Sequence, residues 1–483
     1  MTTRHDIWAR LNGDASVVVI GGGITGAAVL LAAAEAGVDC LLLEAHDFAS
    51  GTSSRSSKLI HGGLRYLKNG QVASTYQALR ERRRLAREEP ALVTSLDNSL
   101  LAYRGDRLRP WLTSGALAVY DAMALTWAHE RESPDQVMGR VPAVAGEGLL
   151  GAHRYAEATT DDARLVLTVL ERACQLGGVT VNYAKVETVH RRADGRVAAV
   201  AVRDLVSGTS HEITCRVVVN ATGAWGDDLR RADGRAAVLR HLRGSHLFFP
   251  ADRFPLAQSI SFMHPSDGRP VFAYAWQGVT LLGTTDVDHA VPMTTEVRCT
   301  PAEVDYLMDG VQKVFPTLGL EPGDALSSTA GVRPVVRGRH DDPSKESRES
   351  LLLDEDGLVS IVGGKLTTFR PMGRHAAAAA LKHLGVSARP SGRLPPADTE
   401  RAADGQAPHP LVRGATEAVV HLDDLLLRRT RLGLTTVDGG VRTALEFRPA
   451  LQPLLGWDDD RWDREVSRYR DLWRDYYSPP TQR

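Results

Sequence analysis

The sequence predicts a multidomain α/β protein with a parallel-sheet domain, an antiparallel-sheet domain and a helical C-terminal region. Three observations support this fold class. Short β-branched runs followed by glycine turns recur three times along the chain. Strand-like segments separated by turn residues fill the middle, and helical periodicity dominates the end. A chain of 483 residues is too long to fold around one simple core, so we expect two or three domains.

The first predicted element group is a strand–turn–helix–strand unit. Ser16–Ile20 is short, continuous and β-branched, which is typical of a buried strand. Ala27–Ala36 is rich in Ala and Leu and predicts a helix that ends at Gly37. The following apolar run ends at Glu44. These residues therefore predict a parallel βαβ unit.

The later segments predict the remaining elements. Helices are predicted over 71–89, 161–176 and 365–384, and residues 269–276 and 279–286 are predicted to pair as antiparallel strands. A stretch rich in Pro, Ala and Gly then indicates a linker. In the last helix Trp462, Val466, Tyr469, Trp473 and Tyr476 form one apolar stripe, which favours core packing.

Composition and charge exclude several classes of protein. Lys plus Arg is 58 and Asp plus Glu is 59, so no basic excess predicts binding to nucleic acid. The four cysteines are isolated, which argues against a metal site or disulfides and favours a reducing cytoplasm. The first residues contain no apolar core of signal-peptide length. The apolar region 17–43 contains acidic residues and five glycines, which argues against a membrane span.

A dinucleotide site is predicted at the first glycine turn. Gly21, Gly23 and Gly26 have the spacing GxGxxG around Ile24 and Thr25, between a strand and a helix. Such glycines let backbone amides approach a pyrophosphate, and an acid such as Glu44 can bind ribose hydroxyls. The alternative is a tight turn without a ligand. Two further glycine turns, in "VVVNATGAW" and "VSIVGGKLTT", favour one long cofactor, FAD rather than NAD.

A hydroxyl-rich segment follows Glu44 directly. Its hydroxyls and amides are candidates to bind the phosphate and ribityl oxygens, its two cations add positive charge, and its glycines allow close approach to a flat ring. The alternative is a solvated serine-rich loop. The candidate residues are Thr52, Ser53, Arg55, Ser57, Lys58, His61, Gly62 and Gly63.

The motifs "VVVIGGGITGAAV", "LLLEAHDFASGTSSRSSKLIHGGLRYL", "VVNATGAW", "AGVRPVV" and "VGGKLTTFR" occur in the order seen in the FAD-dependent glycerol-3-phosphate dehydrogenase family. The chain resembles this family over about 16–384, and "HLDDLLLRRTRLGL" is similar to the family's C-terminal cap. The resemblance implies an FAD-binding Rossmann-like domain of the GR2/DAO type, an antiparallel substrate domain and a helical cap, here shortened before His421. The implied boundaries are 1–70, 150–235 and 328–385 for the FAD domain, 71–149 and 236–327 for the substrate domain, 386–412 for the linker and 413–483 for the cap.

The resemblance also implies site residues. Non-covalent FAD would contact the residues given above together with Val186, Ala221, Gly223, Gly364, Lys365, Leu366 and Thr367. A substrate phosphate would be bound by Arg65, Tyr66, Arg333 and Lys365, because a phosphate dianion requires cations. His246 is the candidate base, and Arg333 is the candidate group for polarising the alkoxide.

The implied activity is oxidation of sn-glycerol 3-phosphate to dihydroxyacetone phosphate by hydride transfer to flavin N5, with quinone or another acceptor taking the electrons. The segment Tyr274-Ala275-Trp276 stands where family members often have "IPW". It leaves open another polyol phosphate, such as erythritol phosphate. Amine oxidation and a flavin-bound scaffold without turnover are further alternatives.

One basic helix bears on whether the protein contacts a membrane surface. Arg80, Arg82, Arg83, Arg84 and Arg87 crowd residues 71–89. Together with the apolar segment that follows Arg109, they favour peripheral contact with an anionic membrane face. The alternative is a charged face with internal Glu–Arg pairs. The oligomeric state is left open between a monomer and a homodimer.

Overall fold

The computed structural model describes residues 4–11, 13–63, 72–106, 115, 117–120, 122–123, 129–293, 296–338, 349–395 and 409–480. These residues form two large β-sheets flanked by helices. The strands are β1 (Asp14–Ile20), β2 (Cys40–Leu43), β3 (Val93–Tyr103), β4 (Glu130–Glu132), β5 (Leu149–Thr160), β6 (Val179–Val181), β7 (Ala184–Arg191), β8 (Val197–Asp204), β9 (Ser210–Asn220), β10 (Leu239–Pro250), β11 (Ser259–Met263), β12 (Pro270–Trp276), β13 (Val279–Gly283), β14 (Val287–Asp288), β15 (Ser327–Val336), β16 (Ser350–Glu355) and β17 (Leu358–Gly363).

The α-helices connect the two sheets and cover them. They are α1 (Arg4–Leu11), α2 (Ile24–Glu35), α3 (Val72–Glu88), α4 (Pro134–Arg140), α5 (Asp162–Gln175), α6 (Gly226–Ala232), α7 (Pro301–Val314), α8 (Phe369–Leu384), α9 (Pro410–Gly414), α10 (Leu432–Thr435), α11 (Val441–Glu446), α12 (Arg448–Leu455) and α13 (Asp459–Tyr476). A π-helical turn, Asp424–Arg429, precedes α10.

The first sheet has the strand order β16-β17-β9-β1-β2-β6, with β8 hydrogen-bonded to β9 and β7 to β8. Strands β17, β9, β1, β2 and β6 run parallel. The predicted βαβ unit is therefore confirmed. Its strands are buried on both faces because α2, α5 and α8 pack on one side and β7 and β8 contribute to the core on the other.

The second sheet has the order β14-β10-β13-β12-β11-β3-β5-β4, and β15 pairs with β10. The predicted hairpin is present, because Tyr274 in β12 lies opposite Leu281 in β13. Two strands of this sheet fall within the predicted boundaries of the FAD domain, except for the first residue of each. These are β5 and β15, paired with β3 and β10. A strand's own residues do not identify its partner, so the boundaries in sequence and the sheets in space differ.

The C-terminal helices pack as a cap on the second sheet. Trp462, Val466 and Tyr469 of α13 are buried in a cluster that also contains Tyr274 and Trp276 of β12. The apolar stripe is thus core packing, as predicted. The two aromatic residues of the "YAW" segment lie beneath the cap. Residues 396–408 of the predicted linker lie outside the described residues.

The basic helix α3 is only partly a surface feature. Arg82 is buried and donates to Glu157 at 3.1 Å. Arg84 pairs with Glu88 on the same helix at 2.8 Å. Among the described residues, no helix is both long enough and apolar enough to cross a membrane.

Candidate functional site

The three predicted glycine turns meet at one edge of the first sheet. Strands β1, β9 and β17 are parallel neighbours, so their carboxyl ends lie side by side. The amide of Ala221 donates to the carbonyl of Ile20 at 2.9 Å, which holds the first two turns together. We call the edge formed by Gly21, Ala221 and Gly364 the cofactor edge.

Close packing requires glycine in the first turn. Gly21 has φ = 108°, and a Cβ on it would lie 2.7 Å from the carbonyl oxygen of Ala221. A Cβ on Gly26 would collide with the carbonyl oxygen of Gly21. The N-cap Gly23 has no side chain to cap α2, so amides at this helix end are available to an anion. The Ile24 amide at this end is the exception, because it already donates to Ser53 Oγ at 3.0 Å.

Glu44 braces the same turn. Its carboxylate accepts from the amide of Gly22 at 2.6 Å and from that of His46 at 2.8 Å. Burial raises the pKa of the Glu44 carboxyl above its ordinary value. Its backbone carbonyl accepts from Ala184, at the start of the strand that carries the predicted contact Val186.

The hydroxyl-rich segment crosses from the cofactor edge to the second sheet. Thr52 Oγ1 donates to the carbonyl of Val332 at 2.5 Å, and Ser57 Oγ hydrogen-bonds to Nε2 of His246 at 2.8 Å. The two cations of the segment already have carboxylate partners. Arg55 pairs with Glu296, and Lys58 is fully buried at 3.1 Å from Asp162.

The His-Gly-Gly turn packs against a buried acid. The amide of Gly62 donates to Glu157 at 3.3 Å, and a Cβ on Gly62 would collide with Leu79 and the Tyr120 hydroxyl. Gly63 has φ = 78°, where glycine is favoured. The glycines thus serve close backbone packing, while His61 is half-buried beside them.

The third turn follows β17. Gly364 has φ = 82°, and a Cβ there would collide with Met372 of α8. Lys365 then precedes the 3₁₀ turn Leu366–Thr368, in which Thr367 is buried. This places Lys365 beside the cofactor edge, half-buried.

On the second sheet, one face of β10 and β15 turns toward the hydroxyl-rich segment. His246 lies opposite Thr329 in the antiparallel pair, so their side chains share a face. Arg333 lies on that face as well, and its guanidinium occupies the space that a Cβ on Gly244 would fill. We call the face formed by Gly244, His246, Thr329 and Arg333 the substrate face.

His246 is buried, and its surroundings disfavour the protonated imidazole. Burial, with Arg333 and Lys58 nearby, holds the pKa of its imidazole well below its ordinary value. Its Nδ1 and the Thr329 hydroxyl are buried without a hydrogen-bond partner among the described residues. Because buried polar atoms are nearly always hydrogen-bonded, this face has capacity for a further polar group.

Arg333 is held in place by the loop after β13. Its guanidinium donates to the Thr284 hydroxyl at 2.8 Å and to Asp286 at 3.0 Å. Thr285 in the same loop donates to buried Glu303 at 2.7 Å. Asp286 is therefore a structural partner of the arginine.

Two predicted substrate residues, Arg65 and Tyr66, lie outside the described residues. The residues that sequence reasoning missed are acids, namely Asp162 beneath Lys58 and Glu157 beneath Gly62. The signal for the first was its place in the segment "TTDDARLVL", where the predicted helix over 161–176 begins. For the second there was no signal, because a single glutamate in a strand has no diagnostic pattern.

These features define a class of protein: an α/β nucleotide-binding protein whose glycine edge fits a dinucleotide. The free helix amides, Glu44 and the collisions that a Cβ would cause at Gly21 and Gly26 all suit a pyrophosphate lying against backbone. The unpartnered polar atoms on the substrate face, described above, suit a group bound between the two sheets.

The family model "FAD dependent oxidoreductase" matches residues 16–379. The chain therefore belongs to the FAD dependent oxidoreductase family, and FAD is its cofactor. This confirms the predicted fold class and cofactor.

Curated relatives support the resemblance. The chain is 37% identical over 366 residues to an aerobic glycerol-3-phosphate dehydrogenase of Staphylococcus epidermidis. It is 38% identical over 364 residues to one of Bacillus subtilis. Both matches cover 74% of this chain and 65% of the relative, so the matched region spans less than two thirds of these relatives.

A solved glycerol-3-phosphate dehydrogenase from Bacillus halodurans, complexed with FAD, superposes with a TM-score of 0.78 at 26% identity. The match covers 100% of this chain and 99% of that one, cap included. An L-α-glycerophosphate oxidase from Mycoplasma pneumoniae shares the fold, with a TM-score of 0.62 at 17% identity over 76% of this chain and 94% of that one.

Proposed function

We propose that this chain oxidises sn-glycerol 3-phosphate to dihydroxyacetone phosphate with non-covalently bound FAD. The observation that carries the proposal is the pairing, on one face, of a neutral buried imidazole with a fixed guanidinium. The Arg333 guanidinium lies over Gly244. His246 is two residues from Gly244 on the same face of β10, which is a separation of about 7 Å along the strand. The similarity to curated glycerol-3-phosphate dehydrogenases supports the same substrate.

Each group has a role in this reaction. When bound, FAD supplies the acceptor for the two electrons and the hydrogen of the carbinol carbon. His246 accepts the hydroxyl proton at a ring nitrogen, which requires the neutral imidazole that burial maintains. Arg333 stabilises the developing alkoxide and, with Lys365, Arg65 and Tyr66, binds the phosphate.

The contacts of the "YAW" segment give little support to another polyol phosphate as the substrate. The Tyr274 hydroxyl donates to the backbone carbonyl of Ser57, and Trp276 donates to the carbonyl of Thr160 at 3.1 Å. Both side chains thus serve packing beneath the cap. No observation favours amine oxidation or a scaffold without turnover.

Anaerobic titration tests the proposal. The purified protein is mixed with glycerol 3-phosphate, erythritol 4-phosphate or unphosphorylated glycerol while the flavin absorbance is followed. We expect bleaching with glycerol 3-phosphate at the lowest concentration. Equal bleaching by glycerol would exclude a phosphate site, and preference for erythritol phosphate would reassign the substrate. Acid precipitation should release the flavin, because no covalent link is proposed.

The acceptor and surroundings belong to the same proposal. We propose quinone as the electron acceptor. We also propose that the start of α3 contacts the cytoplasmic face of an anionic membrane, because Val72 and Tyr76 are 54% and 50% exposed on one side of this helix. Co-sedimentation with anionic and neutral vesicles at low salt tests it, and equal partition would remove it. Sedimentation velocity distinguishes a monomer from a homodimer, which the sequence leaves open.

A further inference from the structure

A buried ionic cluster joins the cap to the hydroxyl-rich segment. Arg431, just after the π-helical turn, is 1% exposed. Its guanidinium donates to Asp162 at 2.5 Å and to the carbonyl of Ser54 at 3.0 Å. It therefore reaches out of the cap to the first turn of α5 and to the segment itself.

Asp162 is the centre of this cluster. Its carboxylate accepts from the Ser56 hydroxyl at 2.7 Å and amide at 3.0 Å. It also pairs with buried Lys58 at 3.1 Å. Both flanking residues of Ser57 are thus fixed by one carboxylate, and Arg431 holds that carboxylate from the other side.

The fixed segment leads directly to the substrate face. Lys58 has φ = 52°, a conformation that a residue with a side chain seldom adopts unless its surroundings hold it. Ser57 between these anchors hydrogen-bonds to Nε2 of His246 at 2.8 Å. This contact leaves Nδ1 as the ring nitrogen without a partner among the described residues. The position of the imidazole therefore depends on the segment.

We propose that Arg431 is a positioning residue for the reaction, which sets the geometry of Ser57 and His246 through Asp162. This inference rests on the proposed function, because it takes His246 as the proton acceptor. Among the described residues, the hydrogen bonds of Arg431 go to the cluster and to neighbouring backbone, not to His246 or the cofactor edge, so it acts through the cluster.

A second contact keeps the cap docked without Arg431. Asp47, just beyond Glu44, is fully buried and accepts from Arg429 at 2.6 and 2.8 Å. Arg428 pairs with the same carboxylate. The cap therefore holds the start of the loop independently, and Lys58 would remain as a partner of Asp162. For this reason Arg431→Gln is expected to fold.

The charge of Arg431 also reaches His246 through Asp162. The charged groups that face the imidazole are Lys58, Arg333 and Asp162. Asp162 favours the protonated imidazole, and Arg431 offsets that negative charge. Removing Arg431 should therefore raise the pKa of His246, so that the acid limb of the rate profile moves to higher pH.

The experiment compares Arg431→Gln with Arg468→Gln in the FAD-loaded full chain. Arg468 is a matched control, because it pairs with Asp423 and Glu465 inside the cap. Amide hydrogen exchange of the peptide covering 52–59 is measured first. Flavin reduction by glycerol 3-phosphate is then followed against pH and substrate concentration.

We expect faster exchange in this peptide for Arg431→Gln only. We also expect a roughly tenfold lower limiting rate with little change in the half-saturating concentration, and an acid limb displaced upward by about half a unit. Arg431→Lys keeps the charge and should restore the pH profile. Exchange and profile both equal to wild type would overturn the inference.

Two further measurements keep the outcomes distinct. If Arg431→Gln does not fold, Ser56→Ala weakens the hold of Asp162 on the segment without changing a charge, because it removes the hydroxyl contact and leaves the amide contact. Faster exchange and slower reduction in Ser56→Ala support the inference, and wild-type values overturn it. If the wild-type flavin is not reduced by any polyol phosphate, the proposed function fails, while the exchange comparison still decides whether Arg431 fixes the segment.

Discussion

At the cofactor edge the groups that meet are backbone atoms, whereas on the substrate face they are side chains. Gly21, Ala221 and Gly364 come together because three parallel strands end side by side. His246 and Arg333 come together because two antiparallel strands are in one particular register. The comparison teaches that the first site depends mainly on the space around its backbone, and the second on the identity of its side chains. Substitutions in each region should therefore fail in different ways.

Gly26→Ala is expected to have the largest effect, which is loss of FAD binding. The added Cβ would collide with the carbonyl of Gly21, which cannot move without opening the turn. Flavin absorbance per protein after purification measures the effect. Gly139→Ala is the control, because its Cβ would enter open space. Full flavin content in Gly26→Ala would contradict this account of the cofactor edge.

Arg333→Ala is expected to retain FAD but lose substrate binding and rate. A charge-assisted contact to phosphate contributes roughly 1.5–3 kcal/mol, or one to two decades in affinity. Arg333→Lys keeps the charge but cannot donate to both Thr284 and Asp286 from a planar fork, so it should remain impaired. Stopped-flow reduction measures both variants. Arg253→Ala, which removes a surface pair with Asp324, serves as control. A wild-type rate and affinity in Arg333→Ala would refute the site.

His246 should make the stability of the protein depend on pH. The pKa of its imidazole is depressed in the folded state from an ordinary value of 6.5, so below that value the unfolded chain binds more protons. The free energy of unfolding should therefore fall as pH drops from about 7.5 to about 5.5. His246→Asn should show a shallower fall over this window in urea titrations. Parallel curves for the two proteins would exclude a buried neutral imidazole.

Ser53→Ala should have the smallest effect, because it removes one contact between the hydroxyl-rich segment and the start of α2. Its hydroxyl accepts from the first amide of α2, and such a contact contributes about 1 kcal/mol. We expect a modestly lower unfolding midpoint and full FAD occupancy. Loss of the flavin in Ser53→Ala would mean that side chains matter at the cofactor edge, against the comparison drawn above.

The amount that the sequence predicted differs between these regions. The GxGxxG turn, the helix after it and Glu44 were predictable because each signal lies within one short segment. The membership of β5 and β15 in the second sheet was not, because strand residues do not encode which sheet they join. Lys58 was predicted to face the cofactor phosphates, but its partner Asp162 lies 104 residues away and fills its hydrogen bonds.

By itself, the sequence determined the βαβ unit, the three glycine turns, the cap stripe and the identity of the candidate base and cations. The first three depend on local periodicity and on the conformations that glycine alone adopts, whereas the candidate base and cations are named from motifs that resemble the family. Only the tertiary structure decided that Ser57 contacts His246, that Asp286 holds Arg333 and that Arg431 reaches Asp162. Such pairs depend on strand register and on the docking of the cap, which are fixed by the burial of whole faces rather than by neighbouring residues.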